Sequence, residues 1–298
     1  MTDAPLNLSR LPRPDVVETL TAEAIRDEII AALVEKSPSL EGALQLESEP
    51  LRKLVEVVAY RELLLRQRVN DAAQSVMLAY ATGTDLDHLA ALYGVSRIAD
   101  ETDDRLRSRV LTTPDGWSVA GPAAAYRARA LDVSVDIRDA VATSPAPGDV
   151  VVTVLPEWRP SQTPEDQARL AALLDAVLAA ANDRTVRPLT DRVSVAVASI
   201  LPYRVVAKLT ITSLPDAEVI MADGTASVAR YVEARRMLGM PVAISGLMQA
   251  LHQGGVERVR LLEPAGDLLP EAHEAAWCEA IEVTLDTDPA DGGTAGDE

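Results

Sequence analysis

Apolar residues recur every three or four positions along the first third of the chain, which is the spacing of amphipathic helices. Residues 21–36 form the first such segment, and Pro38 ends it. A longer segment runs from about residue 49 to about residue 80, and Pro50 suits its first turn. A helix of that length would be on the order of 45 Å long, which favours a helical bundle or an interface with another chain.

The long predicted helix carries one apolar stripe, which only Glu62 interrupts. The members of the stripe recur at helical spacing, and they are Leu51, Val55, Val58, Leu65, Val69, Ala72, Val76 and Tyr80. We predict that the stripe is buried, either within the chain or against a partner. The residues predicted to form the partner interface are Leu51, Val55, Val58, Leu65, Val69 and Val76.

The stretch TGTDLDHLAALYG, residues 82–94, places His88 among acidic residues. A capping box accounts for it, with Thr84 as N-cap, Asp87 three residues later and Gly94 as the left-handed stop. We therefore interpret the stretch as the start of a packed helix. A partner contact and a metal or acid–base role are the alternatives for this histidine.

The next segment, DETDDRLRSRVL, predicts another helix, with Thr102 as its cap. Arg105, Arg107 and Arg109 project from this helix beside acidic residues. We expect the three arginines to form a solvated face. Ion pairs at a partner interface are the alternative.

From about residue 120, the pattern changes to alternating helices and strands. The order of a helix, a strand and a Pro-Ala…Gly-Asp turn occurs in residues 121–155 and again in residues 245–269, and a second strand follows in each copy. The sequence therefore predicts an α+β protein. An N-terminal helical bundle region precedes two related, small α/β modules with short sheets covered by helices.

The predicted divisions follow these changes of pattern. They are an N-terminal arm (1–15), a helical domain (16–112), a first α/β module (113–200), a second α/β module (201–285) and an acidic tail (286–298). The segment from Leu261 to Glu298 contains eleven acidic residues and no Lys or Arg.

Charge and composition narrow the classes of function. The chain has 298 residues and a net charge of −18, which argues against binding to nucleic acid or to an anionic membrane. No apolar run approaches the length of a membrane span, and the N-terminus lacks the order of charges expected of a signal peptide. We expect a protein that is soluble and made in the cytoplasm.

Candidate catalytic chemistry is sparse. The segment AHEAAWC, residues 272–278, resembles the zinc motif HExxH, but Trp277 stands where the second histidine would be, so we interpret the segment as an exposed acidic one. The run DTDPADGGTAGD, residues 286–297, departs from a calcium loop because its third acidic position comes one residue late. The chain has one cysteine, Cys278, and its acidic surroundings would raise the thiol pKa. A metal-dependent hydrolase that uses His88 or His273 remains the alternative function.

Six segments with familiar features follow one another along roughly residues 15–265. They are GTDLDHLAALYGVSR, ETDDRLRSRVL, SVAGPAAAYRARALD, VSVDIRDAVATSPAPGDVVVTVL, VRPLTDRVSV and GVERVRLLEP. In this order they resemble the baseplate J-like family of contractile-tailed phages and R-type bacteriocins. The absence of Phe and the acidic tail are departures from that resemblance.

The resemblance implies a structural wedge component of a contractile-tail baseplate, without catalytic residues or a cofactor. It also implies the partners, which are a tail protein I-like wedge protein, a second copy of the chain, a lysozyme-like wedge protein, the central hub or spike and the tail sheath. Nucleic acid and membrane insertion are not implied. Such a protein would be made and assembled in the bacterial cytoplasm and would be located in the baseplate.

Overall fold

The computed structural model describes residues 8, 11–12, 14, 16–116, 123–183, 187–188, 190–211 and 217–286. The chain divides into two compact units, Met1–Pro114 and Asp115–Glu298. The predicted arm (1–15) lies almost entirely outside the described residues, and so does the predicted acidic tail beyond Asp286. The finer division of the chain into modules stays a prediction.

The described part of the first unit is helical. Its elements are α1 (Ala22–Lys36), a 3-10 turn (Pro38–Leu40), α2 (Glu41–Leu44), α3 (Pro50–Ser75), α4 (Gly83–Leu92) and α5 (Asp103–Gly116). The Thr21 side chain caps α1 by accepting a hydrogen bond from the N–H of Ala24, and Pro50 opens α3 as predicted. The long helix is shorter than predicted, because the residues after Ser75 form turns rather than a further helical turn.

One side of α3 packs along α1. Ile25 of α1 and both Val55 and Ala59 of α3 are buried there. Asn70 is also buried on α3, and its side chain accepts a hydrogen bond from the N–H of Glu18 at 3.1 Å and donates one to the Glu18 carbonyl at 3.0 Å. Because a buried amide needs such partners, Asn70 fixes the segment before α1 against the long helix.

A second core joins α4 to α5. Its buried side chains are Ala81, Leu86, Ala90, Val95, Leu106 and Val110. Gly94 follows α4 in the left-handed conformation, with φ 72°, as the sequence predicts. The predicted capping box is wrong: Thr82 is the N-cap of α4, and Asp87 bonds to the side chain of Arg97 instead.

The second unit combines helices with strands. Its elements are α6 (Ala123–Leu131), β1 (Ile137–Ala146), β2 (Asp149–Pro156), α7 (Pro164–Ala181), β3 (Arg192–Val197), β4 (Ser199–Ile211), α8 (Ala217–Arg235), α9 (Ile244–Leu251), β5 (Val256–Glu263) and β6 (Glu274–Leu285). The helical first unit and these small mixed sheets confirm the predicted α+β class.

The six strands form two sheets of three, with the orders β1-β2-β3 and β5-β4-β6. In each sheet the middle strand is antiparallel to one neighbour and parallel to the other. The predicted repeat makes β5 and β6 the equivalents of β1 and β2. The order along the chain recurs as α6-β1-β2 and α9-β5-β6, but the pairing differs, because β1 pairs directly with β2 whereas β4 lies between β5 and β6.

The two sheets belong to the same unit and meet where β3 passes into β4. The N–H of Ala198 donates to the carbonyl of Val154 in the first sheet, and the N–H of Ser199 donates to the carbonyl of His273 next to the second. Arg236 at the end of α8 donates to the carbonyl of Glu157 at 2.7 Å. These bonds tie the first sheet to the elements of the second.

The segment AHEAAWC enters strand β6 at Glu274. Ala275 and Ala276 are buried, so the expectation of an exposed acidic segment is wrong there. The reason is that both sides of β6 are covered here: Ala276 packs into the core of the second sheet, and Ala275 packs in a separate cluster with Leu155 and Ala198.

Candidate interface surface

A broad apolar surface of α3 faces solvent. We call it the open face of α3, and it consists of Leu54, Val57, Val58, Leu64, Leu65 and Val69. Each of these side chains is between 45% and 67% exposed. Scattered exposed apolar residues are normal on protein surfaces, but six large apolar side chains exposed within one sector of a single helix are typical of an interaction site.

The open face lies opposite the side of α3 that packs on α1. With 3.6 residues per turn, its six positions span a sector of about 140° around the helix axis. Val55, Ala59 and Asn70 fall in the remaining sector and are buried within the chain. One side of the helix therefore holds the first unit together, and the other side is exposed.

Two arginines lie within the sector of the open face. Arg61 and Arg68 are both exposed, and neither has an ion-pair partner among the described residues. A surface that covered them would have to supply hydrogen-bond acceptors, because a buried, unpaired guanidinium is costly. The open face is thus apolar along its length, with two positive charges at defined positions.

The predicted interface residues of the long helix differ in their exposure in the structure. Val58, Leu65, Val69 and Val76 are exposed, and Val76 lies just beyond the last residue of α3. Leu51 is half-buried and Val55 is fully buried. The stripe lies on the border between the two sides of the helix, so no single surface buries all its members. A role of these residues in a partner interface stays a prediction.

The open face also contains residues that the predicted stripe omits, namely Leu54, Val57 and Leu64. Each of them directly precedes a member of the stripe, which gives the apolar pairs 54–55, 57–58 and 64–65. Adjacent helical residues point about 100° apart. Repeated apolar pairs were therefore the sequence signal for a helix that is apolar on more than one side.

Arg105, Arg107 and Arg109 do not form the expected solvated face. Their side chains are 20%, 15% and 7% exposed, and all three bind within the chain. Arg107 donates to the carbonyls of Leu78 and Ala81 at 2.8 Å each. These carbonyls belong to the turns that follow α3, so the arginine fastens α5 to that connection.

Arg97 forms ion pairs with an acidic residue of α4 and with one of α5. Its guanidinium lies 2.7 Å from the carboxylates of both Asp87 and Asp103. Asp103 also accepts a hydrogen bond from the N–H of Gly83 at 3.0 Å, and this bond, followed by that of Arg97, lowers the pKa of Asp103. A carboxylate at the start of α4 is favourable because the N-terminus of a helix is positively polarised.

The titratable groups outside these ion pairs do not gather into a site. Among the described residues, no group of three or more His, Cys, Asp or Glu side chains could hold a metal ion. The Nδ1 atom of His273 lies 3.6 Å from a carboxylate oxygen of Glu271, and the imidazole is 52% exposed. Burial raises the pKa of the Cys278 thiol, which opposes formation of a thiolate nucleophile.

No helix within the described ranges is both long enough and apolar enough to span a membrane.

Comparisons with known proteins agree with the sequence resemblance. The family model described as the baseplate J-like N-terminal domain matches residues 47–103, which include all of α3 and α4. A chain of the anti-feeding prophage baseplate, solved by cryo-EM with 6-fold symmetrisation, is 14% identical, with a TM-score of 0.40 over 63% of this chain and 43% of that one. Baseplate protein J of Escherichia phage P2 is 37% identical over 298 residues, which cover 93% of this chain and 97% of that protein. On this near full-length identity, the chain belongs to the baseplate J-like family.

Proposed function

We propose that the chain is a wedge subunit of a contractile-tail baseplate and that it joins its neighbours through the open face of α3. The coarser part of this statement, a structural role in the baseplate of a phage tail or a related prophage-derived particle, follows from the family. The alternative of a metal-dependent hydrolase that uses His88 or His273 is wrong, because the matching relative is a structural baseplate protein.

The open face of α3 is the observation that carries the proposal. It lies inside the segment that matches the family model, residues 47–103. Transferring such a surface from water into an interface is favourable roughly in proportion to its apolar area. A helix apolar on two opposite sides suits a bundle in which one side packs on its own chain and the other on a neighbour.

The neighbour has to match both the shape and the charge of the open face. An amphipathic helix would fill the apolar sector between Leu54 and Val69. Carboxylates on that helix would pair with Arg61 and Arg68, which otherwise lose hydration on assembly without compensation. The partner chemistry is therefore an apolar helix face with acidic residues placed opposite Arg61 and Arg68.

The family resemblance suggests which proteins supply such faces. A tail protein I-like wedge protein and a second copy of this chain are the candidates for direct contact with α3. A lysozyme-like wedge protein, the central hub or spike and the tail sheath are the further partners of a closed ring. Chains that repeat around a ring need interfaces on two sides, and closure of the ring limits the geometry of those interfaces.

Native mass spectrometry tests the proposal on the chain expressed alone and co-expressed with the tail protein I-like protein. The expected result is a stable complex with two copies of this chain for each copy of the partner. A chain that stays monomeric and ignores that partner would refute the wedge proposal. The family membership of the chain would be unaffected.

A further inference from the structure

The open face of α3 repeats every seven residues. Leu54, Arg61 and Arg68 form one row of the repeat, and the apolar pairs 57–58 and 64–65 form the rows beside it. A repeat of seven keeps the same side of a helix against a neighbouring helix over several turns, which is the packing of a coiled coil. The open face therefore suits one long helix that lies along it for about four turns.

The two arginines of this row differ from the other arginines of α3. Arg52 donates to a main-chain carbonyl at 3.0 Å, and Arg66 lies 2.6 Å from the carboxylate of Glu62. Arg61 and Arg68 are exposed and have no such partner in the described part of the chain. Both guanidinium groups of α3 that lack a partner there are thus on the open face.

The open face contains no carboxylate of its own. The acidic residues of α3 are Glu56, Glu62 and Asp71, and at 100° per residue all three fall at least about 20° outside the sector. The two nearest to the sector already have partners, because Glu62 pairs with Arg66 and Asp71 accepts a hydrogen bond from the side-chain amide of Gln67 at 2.7 Å. A second copy of the open face therefore offers no acidic group to an arginine of the first.

Pairing of two open faces would bring like charges together. In a parallel pair, equal positions lie opposite each other, so each arginine faces itself in the second copy. In an antiparallel pair that covers the face from Leu54 to Val69, the centre lies between residues 61 and 62, so Arg61 again faces its own copy. Guanidinium groups buried together without acceptors lose hydration and repel each other.

We propose that Arg61 and Arg68 determine which chain binds the open face. They prevent two copies of this chain from pairing face to face, and they select a helix of a different protein that carries two carboxylates. Because the arginines are seven residues apart, or about 10 Å along the helix, the carboxylates have to be seven residues apart on the apolar side of the partner helix. Polar residues at core positions of coiled coils set partner choice in this way, at a cost in stability. The inference rests on the proposed function, in which the open face is the interface.

Sedimentation velocity of the isolated full chain tests whether the arginines prevent self-association. We compare the wild type with R61L/R68L, whose open face is apolar throughout, and with R61K/R68K, which keeps both charges. The dimer dissociation constant of R61L/R68L should be at least about tenfold below that of the other two proteins. Adding Leu65→Glu to R61L/R68L should remove this gain, which locates the self-association on the open face. Equal self-association of R61L/R68L and the wild type would overturn the proposal.

A second measurement uses two synthetic helical peptides built from leucine heptads. One carries two Glu residues seven positions apart on its apolar side, and the other carries two Lys residues at the same positions. Fluorescence anisotropy should show that the wild type binds the Glu peptide at least about tenfold more tightly than the Lys peptide, and R61E/R68E should reverse this preference. Equal binding of the two peptides to the wild type would also overturn the proposal.

The tail protein I-like protein distinguishes failure of this inference from failure of the proposed function. That protein should bind the wild type and should fail to bind R61E/R68E. If it bound R61E/R68E as tightly as the wild type but did not bind Val69→Glu, the open face would be the interface and this inference alone would be wrong. If it bound Val69→Glu normally, the proposed interface itself would be wrong.

Discussion

Glu101 is a fully buried carboxylate in the helical first unit. Its side chain has no exposed surface, and the guanidinium of Arg109 lies 2.6 Å from it. Arg105 approaches the other carboxylate oxygen at 3.5 Å, and the N–H of Ile98 donates to the carboxylate at 3.0 Å. A buried charge is tolerated only with such compensation, so the pair determines how α5 is seated against the preceding turn.

Replacing Arg109 with Met should lower the free energy of unfolding by about 3 kcal/mol, because Glu101 then loses its closest partner inside the protein. Urea unfolding measures the change. Arg192→Met is the matched control, since Arg192 is exposed and lies 3.9 Å from Asp149. The control should cost less than about 1 kcal/mol. Equal losses of unfolding free energy in the two variants would show that the buried ion pair stabilises the protein no more than an exposed one.

Tyr126 connects α6 to the segment that leads into β3. Its hydroxyl donates to the Asp191 carboxylate at 2.8 Å. Burial raises the pKa of Tyr126 to about 12 from its ordinary 10.0, and the bond to Asp191 acts in the same direction. The neutral phenol thus stabilises the fold below pH 10, and this stabilisation is lost as the pH rises from 10 towards 12.

Tyr126→Phe should reduce stability by about 1 kcal/mol at pH 7, because it removes one hydrogen bond to a charged group. The difference between the wild type and this variant should shrink as the pH rises above 10. Thermal unfolding from pH 7 to pH 11 measures both effects. A difference that stays constant over that range would contradict the assignment of the raised pKa to Tyr126.

The sequence alone could not predict whether the arginines of α5 face solvent or bind within the chain. Alternating charges on a helix are most often solvated, which is why a solvated face was the expectation for Arg105, Arg107 and Arg109. The outcome depends on backbone carbonyls of Leu78 and Ala81, which a tertiary turn brings within reach of Arg107. Contacts of this kind join distant parts of the chain and leave no periodic signal in the sequence.

At the scale of elements, α3 has one side buried within the chain and one exposed apolar side. The N-terminal boundary of α3 was predictable, because Pro50 marks the first turn. The sequence could not predict how the apolar residues of α3 divide between its two sides, because this division depends on where α1 packs. Val55 and Val58 belong to the same predicted stripe but end up buried and exposed, respectively.

The order of strands in the second sheet shows a similar limit. The helices and strands of residues 201–285 were recognisable from their periods. Their pairing was not recognisable, because the middle strand β4 precedes both of its neighbours along the chain. A repeat in the order of elements therefore did not fix the order of strands.

Val69→Glu should leave the isolated chain folded, with a change in unfolding free energy within about 0.5 kcal/mol, because Val69 is exposed. It should nevertheless abolish binding to the tail protein I-like partner, since a carboxylate would be buried in the apolar interface. Lys53→Gln is the matched control, as it makes the same change in net charge at an exposed site of α3 outside the open face. Co-purification measures binding.

Val55→Ala should show the opposite behaviour at the same helix. Val55 is buried within the chain, so its truncation should cost about 2 kcal/mol in urea unfolding. Partner binding should persist under conditions in which the variant is folded. If Val69→Glu unfolded the chain, or if it bound the partner normally, the separation of α3 into two functional sides would be wrong.

At the scale of the whole molecule, the chain is a structural baseplate protein whose two units present surfaces of different character. The first unit offers the apolar open face of α3, with Arg61 near its middle and Arg68 near its C-terminal end. The second unit holds its two sheets together through bonds such as that of Arg236 to Glu157. Such a subunit suits a ring in which each chain has to contact several neighbours at once.

Cryo-EM of assembled tails that carry this chain gives the decisive test of the proposed interface. We expect the chain to lie in the baseplate with Val58, Leu65 and Val69 buried against a helix of another chain. We also expect acidic side chains of that helix beside Arg61 and Arg68. A baseplate in which the open face of α3 remains in contact with solvent would refute the proposed interface.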